Sequence, residues 1–600
     1  MEAGGIAEHG LLADGRSAAL VDRSGSVNWW CPERFDAPSV FCRLLDVTGG
    51  HWWIRPVERF EVRRNYLPDT LVLRTVFRTE HGEVSLTDGL LLEAGARGHG
   101  IGRKSPGVLV RVVEGLSGAV PMELSYHPRF EYGRRTAYLV WRDGELTATS
   151  GPTTLAMTAP MPLTVQGSEA AARFTVGAGQ RDTFVLAYRP TFHETAPHPV
   201  EETDAFGDTV SGWRSWAAHH DYQGRYPELV RRNALVLQGL TYVPSGAVVA
   251  AATTSLPEEL GGDRNYDYRY AWLRDFSLTL RALWVAACPT EANRLFGWVA
   301  SAVGRIDGQP VPIMFGVEGE RDLTERRIET LRGYANSSPV WVGNEAWRQH
   351  QLDVPGEVLD AAWRLRDYLD PMRAEVRDLL RSLADQTVTR WREPDAGMWE
   401  ARDAARHYVS SKVGCWVALD RAVRFGDRLA DPDDLARWVA ARDEIRETVL
   451  REGWNAQVGA YTGAFGSEQL DASVLLMPLA GFLPATDDRM RATIRLIEER
   501  LSRGGLVRRW AGDPAAFTIC SFWLVQCLVL AGERDRAAAM FENVAGVAND
   551  LGLLAEQVDP HTGEQLGNFP QAFSHIGLIS AAWELTTASD ETVPTGGGSR

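Results

Sequence analysis

No cysteine pair in this chain has the spacing of a zinc ribbon or a redox motif. The six cysteines, Cys31, Cys42, Cys288, Cys415, Cys520 and Cys527, contain no C-x-x-C. Cys520 and Cys527 stand seven apart, so on a helix they share a face as core residues. This usage fits a reducing, cytoplasmic setting. No apolar run reaches the length that spans a bilayer. The opening residues MEAGGIAEHG lack a basic region followed by an apolar core, so they do not read as a secretory signal. Basic charge is not in excess: 63 Lys and Arg face 79 Asp and Glu, a formal charge of −16. That balance argues against nucleic acid or an anionic membrane as the partner. There is no P-loop, no H-E-x-x-H, no EF-hand loop and no G-x-S-x-G, so phosphate-loop, zinc-protease, calcium-loop and serine-hydrolase chemistries have no support.

The composition is that of a globular protein, 44% hydrophobic and 24% charged, and 600 residues are too many for one ordinary core. Residues from about 6 to 200 read as strands. Ala18 to Trp30 is a hairpin pattern around a Ser-Gly turn, and candidate strands recur up to Asp182–Tyr188 with Gly-containing turns between some of them. That spacing predicts an antiparallel sandwich over 1–200. Residues 201–227 read as a helical connection. From 228 onward the pattern is helical, at 228–242, 273–288, 290–305, 338–352, 356–369, 372–391, 408–425, 433–452, 470–480, 486–502, 516–531, 534–549 and 572–586. Helices so numerous and even suit a closed ring of helix pairs, although periodicity does not separate that ring from an open solenoid. The polar stretch 589–600 reads as a disordered tail.

The stretch Asn265-Tyr-Asp-Tyr-Arg-Tyr-Ala-Trp-Leu-Arg-Asp275 is the densest chemistry in the chain. Aromatics at every second position predict an extended segment that shows alternate faces. An aromatic ledge ending in Arg274-Asp275 suits a sugar, which offers a flat C–H face and hydroxyls that need donors and acceptors. The same residues equally suit a buried aromatic strand with a structural ion pair. Three further stretches fall at predicted loops or helix ends: Ser338 to Asp353, Asp395 to Arg402, and Gly552 to Asp559. They contain the carboxylates Glu400 and Glu556. Trp399 beside Glu400 is expected to desolvate it and raise its pKa, as a general acid requires. Glu556 beside Gln557 is expected to sit in a more polar setting and stay ionised. A pair with opposed protonation preferences is what glycosidic hydrolysis uses. Taken one at a time, each glutamate equally reads as a solvated surface group.

These residues resemble glycoside hydrolase family 15, the glucoamylase and bacterial trehalase-like family, in its two-domain bacterial form. The resemblance runs from about 6 to 587. It is carried by Leu12-Ala-Asp-Gly through Ser24 to Phe41, Leu256-Pro-Glu-Glu-Leu-Gly-Gly, Asn265 to Asp275, Pro339 to Asp353, Gly397-Met-Trp-Glu-Ala-Arg, Ser411 to Ala422 and Leu553 to Ile579. It implies a β super-sandwich followed by an all-α (α/α)6 barrel. It implies inverting hydrolysis of an α-glucoside from the non-reducing end, with release of β-glucose. By motif position Glu400 matches the general acid and Glu556 the general base. Arg274 and Asp275 match the pair that binds hydroxyls of the non-reducing glucose. Tyr268 matches a tyrosine that holds the attacking water, and Trp272 and Trp399 match aromatic walls. Arg402, two beyond Glu400, is a further candidate for holding substrate. Neither a metal nor an organic cofactor is required, the partner is a small α-linked glucoside or oligosaccharide, and homo-oligomerisation is left open. Trehalose is the favoured substrate, with malto- and isomalto-oligosaccharides next.

Several positions depart from the family pattern. Tyr266 stands where Trp is common, Trp341 where Arg is usual, Asn336 and Ser337 replace a Gly-containing run, and Pro355 replaces Tyr. They cluster in a region expected to border the leaving group, so they bear on which aglycone is accepted, or are neutral change in a supporting loop. They also motivate a rival reading, a family-15-like barrel turned to acid chemistry on a non-sugar substrate or to binding alone. His350, His407 and Lys412 are read either as substrate contacts or as structural partners. Trp29, Trp30, Trp52 and Trp53 read as sheet core rather than as carbohydrate contacts.

Overall fold

The structure, a computed structural model, describes residues 4–192, 204–220, 222–286, 289–304, 310–367 and 372–590. Its N-terminal part is built on the twenty-residue strand Val108–His127. The first half of that strand pairs with Gly82–Leu90 and Arg181–Pro190, and the second half with His51–Pro56 and Glu169–Gly177, all antiparallel. One strand therefore belongs to two sheets. The switch falls at Gly115 to Gly118, opposite a register shift between Glu83 and Val84. Gly118 has φ +68°, and a side chain there would meet the His81 carbonyl at 1.9 Å, so the bend requires glycine.

The two sheets are tied by Arg111. It forms a fully buried pair with Asp88 at 2.8 Å, and it also donates to the Trp52 carbonyl at 2.6 Å and the Gly25 carbonyl at 2.7 Å. A buried charge needs this complete set of partners. Trp29, Trp30 and Trp52 are fully buried core residues. Trp53 is only half-buried, stacked on His51 at 3.9 Å with Arg55 at 4.5 Å from its ring.

A connecting helix, α1 (Gly207–Ala217), leads to the helical part. There the helices are α2 (Pro227–Gly239), α3 (Phe276–Val285), α4 (Pro289–Val303), α5 (Val354–Arg364), α6 (Ala374–Arg390), α7 (Val409–Phe425), α8 (Pro432–Glu452), α9 (Leu476–Leu479), α10 (Asp488–Leu501), α11 (Thr518–Leu530), α12 (Arg534–Ala545) and α13 (Ala572–Asp590). Their burial follows their composition. α11, TICSFWLVQCLVL, is apolar all round and buried nearly throughout. α8 buries only the stripe Trp438, Ala441, Ile445 and Val449. It starts where the Asp431 side chain accepts from the amides of Asp433 and Asp434, with Pro432 in the first turn. α3 packs on α5, α5 on α7, α7 on α9, α9 on α11, α11 on α13, and α13 on α3 again. The alternate helices α2, α4, α6, α8, α10 and α12 each pack on one or more of these.

Two expected helices differ. Residues 338–352 form no α-helix. Trp341–Val342 is a short strand paired with Arg326–Arg327, followed by a 3-10 turn, Glu345–Arg348. The cause lies in Pro339, in Gly343 at φ +87°, and in Asp267, whose side chain takes the Gly343 amide at 3.1 Å while its carbonyl takes the Asn344 side chain at 3.2 Å. The stretch 470–480 is a 3-10 turn, Ala472–Leu475, continued by the single turn α9. At the other end α13 continues to Asp590, past the expected start of the tail at 589, and 591–600 lie outside the described residues. Among the described residues no helix is long and apolar enough to cross a membrane.

The two parts meet beneath the 265–275 stretch. The fully buried Arg269 pairs with Asp267 at 2.6 Å and reaches across to the carbonyls of Ala37 at 3.0 Å and Phe35 at 3.4 Å. The Trp29 indole donates to the Ala252 carbonyl at 2.9 Å. Sheet-domain residues thus hold the segment that carries Tyr266, Tyr268 and Arg274.

Candidate active site

The 265–275 segment is extended and anchored along its length. The carbonyls of Tyr266, Tyr268 and Tyr270 accept from the amides of Ser255, Ala251 and Ala250 at 2.8–2.9 Å. Asn265, Asp267 and Arg269 are buried on the far side, while Tyr266 and Tyr268 line a cavity of about 370 Å³. The alternation breaks at a bend at Tyr270, which is buried away from the cavity. Beyond the bend, Ala271–Trp272 pairs with Met314–Phe315, and the Trp272 ring meets Tyr268 edge-on at 5.3 Å.

Glu400 lies across the cavity. Its backbone has φ +58°, an uncommon conformation for glutamate, and it follows Gly397, which also has a positive φ. The turn is fixed from behind: Lys412, fully buried, donates to the carbonyls of Trp391 (2.6 Å) and Glu393, and the Asp395 side chain accepts from the Leu352 amide at 3.0 Å. Lys412 is therefore a loop clamp, not a cavity residue. Glu400 Oε1 accepts from the Trp272 indole at 2.7 Å and from Arg274 Nη1 at 2.9 Å. Arg274 also donates to the Met398 carbonyl and to Asp275 at 3.1 Å. Asp275 is buried just behind the cavity lining, and burial pushes its carboxyl up to about 6 against the pull of Arg274.

Trp399, the chain neighbour expected to desolvate Glu400, makes its own hydrogen bond elsewhere. The Trp399 indole turns the other way, donates to Asp471 at 2.9 Å and packs edge-on against Phe517. The left-handed turn at Glu400 separates the two neighbouring side chains. Glu400 takes its environment from Trp272 and Arg274.

Glu556 reverses the other expectation. It is 1% exposed, and its carboxyl is pushed up to about 8 by burial first and then by the nearby carboxylate of Glu258; Arg509 pulls the opposite way. Gln557 contributes no polar surroundings, because it sits on the short strand Gln557–Val558 where alternate side chains face opposite ways. Glu556 Oε2 accepts from the Asn568 amide at 3.2 Å, while Oε1 has no hydrogen-bond partner among the described residues. The carboxyl is seated against Gly567, where any side chain would come within 2.5 Å of Oε2. Tyr268 lies next to it, and the tyrosine hydroxyl is held firmly protonated by burial and by the charges of Glu556 and Glu400.

Much of the site was missed by sequence reasoning. Glu258 is 2% exposed and lines the cavity, bonded to Arg509 and 3.5 Å from Arg264. Arg509 also pairs with Asp513 at 2.8 Å, and Arg264 with Asp513 at 3.2 Å. These two arginines balance a buried acidic group next to Glu556. Glu258 falls within the motif Leu256 to Gly262, and nothing local marks Arg509 beyond its i, i+4 spacing to Asp513. The outer wall holds Arg402, Asp403, Arg406, Tyr408, Gln469 and Trp510. Arg402 lies 4.8 Å over the Tyr266 ring and pairs with Glu325 at 2.9 Å. Trp341 is not part of the lining; its backbone carbonyl takes the hydroxyls of Thr254 and Ser255. His350 Nε2 lies 3.4 Å from Glu393, with burial holding the imidazole pKa below its ordinary value, and His407 stacks on Phe465.

The family model of the glycosyl hydrolases family 15 matches residues 224–583, and that of a trehalase-like N-terminal domain matches residues 1–213. The chain belongs to glycosyl hydrolase family 15. It is therefore a glycoside hydrolase. Relatives align over nearly the whole length. A trehalase of Mycolicibacterium smegmatis is 36% identical, covering 98% of this chain and 92% of its own. A trehalase of Thermoplasma volcanium is 30% identical, covering 97% and 94%. Among solved structures, a bacterial glucoamylase complexed with acarbose superposes with a TM-score of 0.74 at 13% identity, covering 97% of this chain and 94% of its own. At that identity the likeness establishes the fold, an antiparallel sheet domain followed by a helical one.

Proposed function

We propose that this chain hydrolyses trehalose with inversion, Glu400 acting as general acid and Glu556 as general base. The observation that carries the reading is one cavity lined by Glu400, held by Trp272 and Arg274, and by Tyr268, with the buried carboxyl of Glu556 against Tyr268 just behind that lining. Full-length relatives named trehalase favour this substrate over other α-glucosides.

Both donors to Glu400 land on Oε1, so the transferable proton belongs on Oε2. That proton passes to the glycosidic oxygen as the C1–O bond breaks. Water, held by Tyr268, attacks C1 from the opposite face and gives its proton to ionised Glu556. An inverting pair stands roughly 6.5–9.5 Å apart to leave room for this water. Arg274, braced from behind by Asp275, grips the hydroxyls of the inner sugar, Trp399 walls it, and Arg402 faces the departing one. The step uses two carboxylates and water. From trehalose it yields one β-glucose by inversion and one α-glucose as the leaving group.

The sheet part, 1–200, is read as a super-sandwich because one strand serves both sheets. The connection is read as 201–227, and 228–588 as an (α/α)6 barrel, because the succession α3, α5, α7, α9, α11, α13 returns to its start. A cytoplasmic location accords with the five unpaired, buried cysteines among the described residues.

The test is glucose release from trehalose, maltose and isomaltose, with the first-formed anomers followed by NMR. Equal α- and β-glucose from trehalose is expected. Glu400→Gln and Glu556→Gln are each expected to lose at least about a thousandfold in kcat; wild-type turnover in either variant overturns that residue's role.

A further inference from the structure

The mouth of the cavity contains a contact that the catalytic reading does not use. Arg402 Nη1 and Nη2 donate to the two oxygens of Glu325 at 3.3 and 2.9 Å, a forked pair. The guanidinium lies over the Tyr266 ring at 4.8 Å. The side chain of Glu325 is only 9% exposed although that of Arg402 is 44% exposed. Glu325 is itself fixed: its Oε2 takes the Glu345 amide at 3.2 Å, the Leu323 carbonyl takes the Asn344 amide at 2.9 Å, and Arg326 pairs with Val342. Asn344 in turn donates to the carbonyl of Asp267, on the floor of the site.

The site is ordered by depth. Arg274 and Asp275 have side chains 13% and 9% exposed, Glu400 is at 16%, and Arg402 is at 44%. A sugar held by Arg274 is therefore the inner one, and the group leaving past Glu400 emerges under Arg402. The guanidinium has five N–H donors, and two are committed to Glu325, which leaves three for the hydroxyls of that group. Without Glu325, Arg402 loses both of its forked hydrogen bonds and, being 44% exposed, exchanges them for water. A released Arg402 would swing into solvent and leave the mouth open.

We propose that Glu325 is a specificity-determining positioning residue: it holds Arg402 flat across the cavity mouth, where the guanidinium receives a single leaving sugar and excludes a longer α-glucan. This rests on the hydrolase reading above. It also gives the atypical 336–355 region a route to specificity, since Val342, Asn344 and Glu345 hold Glu325 in place.

The experiment compares wild type, Glu325→Ala, Glu325→Gln, Arg402→Ala and the Glu325→Ala/Arg402→Ala double variant on trehalose and maltotriose. Glu325→Ala is expected to raise the KM for trehalose about tenfold with kcat within threefold, and to shift the ratio of kcat/KM toward maltotriose at least fivefold. Glu325→Gln is expected to give a smaller shift in the same direction, and the double variant to match Arg402→Ala. An unchanged ratio, or additive losses in the double variant, overturns the proposal. Calorimetric titration of trehalose into Glu400→Gln, with and without Glu325→Ala, reads the same contact without turnover. A tenfold weaker Kd supports the proposal and an equal Kd refutes it. A wild type inactive on every glucoside refutes the hydrolytic reading instead.

Discussion

The Trp272 indole N–H donates to Glu400 Oε1 at 2.7 Å, a contact made across 128 residues of chain. With Arg274 it confines both fixed donors to one carboxylate oxygen and orients the other. Hydrogen bonds to charged groups contribute about 1.5–3 kcal/mol. Trp272→Phe keeps the apolar ring and removes the donor. Its kcat on the best α-glucoside is expected to fall roughly ten- to hundredfold with little change in KM, as steady-state kinetics would show. A loss confined to KM would mean that Trp272 only shapes the cavity.

The pH dependence follows from Glu258 and Glu556. Glu556 must be ionised to accept a proton, but burial and the Glu258 carboxylate push it up to about 8. The acidic limb of kcat/KM is therefore expected well above the ordinary carboxylate range, as a property of the interacting groups together. Glu258→Gln removes the like charge and leaves Arg509, which pulls Glu556 down, less neutralised. Both effects have the same sign, so the limb moves to lower pH. A profile unmoved in this variant would show that burial alone sets the base.

The strand-then-helix texture foretold the two-part fold, and the family motifs pointed to segments that meet at one cavity, Arg274 and Glu400 in its lining and Asp275 and Glu556 buried behind it. The protonation logic was not legible, because it was argued from chain neighbours. Trp399 and Gln557 adjoin the two glutamates in sequence, but a left-handed turn at Glu400 and a strand at Glu556 send those side chains elsewhere. The groups that act on the carboxyls, Trp272, Arg274, Glu258 and Arg509, come from other segments. The helix expected at 338–352 failed for a similar reason: its backbone is claimed by Asp267 and Arg326–Arg327, a tertiary demand that overrides local spacing.

Arg269 offers a test of how the sheet part supports the site. It is buried, paired with Asp267, and bonded to carbonyls of Phe35 and Ala37. Removing one partner of such a pair leaves an uncompensated buried charge and costs ~3–5 kcal/mol. Arg269→Ala is expected to lower the Tm by several degrees and to reduce activity by displacing Tyr268 and Arg274. Arg269→Lys, which keeps charge but not the forked geometry, is expected to recover only part of the Tm. A wild-type melting curve for Arg269→Ala would remove the support role.

Stability should also carry the mark of a second cavity, about 80 Å³, under Arg274. Glu357 lines it, with Oε2 unpartnered among the described residues, and burial, reinforced by Asp353, Asp360 and Asp275, pushes its carboxyl up to about 8 although Ser277 opposes this. Its ordinary value is 4.5. Between 4.5 and about 8 the folded protein keeps this proton while the unfolded chain has lost it. The folded state then binds more protons at this group, so its contribution to stability falls as pH rises through that window and is level on either side of it. Glu357→Gln is uncharged throughout and escapes the fall. Its Tm is expected to match wild type near pH 5 and to exceed it near pH 8.5 by at least about 2 °C, the scale of a 1 kcal/mol change in a large domain. Melting curves at the two pH values decide the matter: a difference that does not widen with pH would mean that Glu357 is ionised and paired in the folded protein.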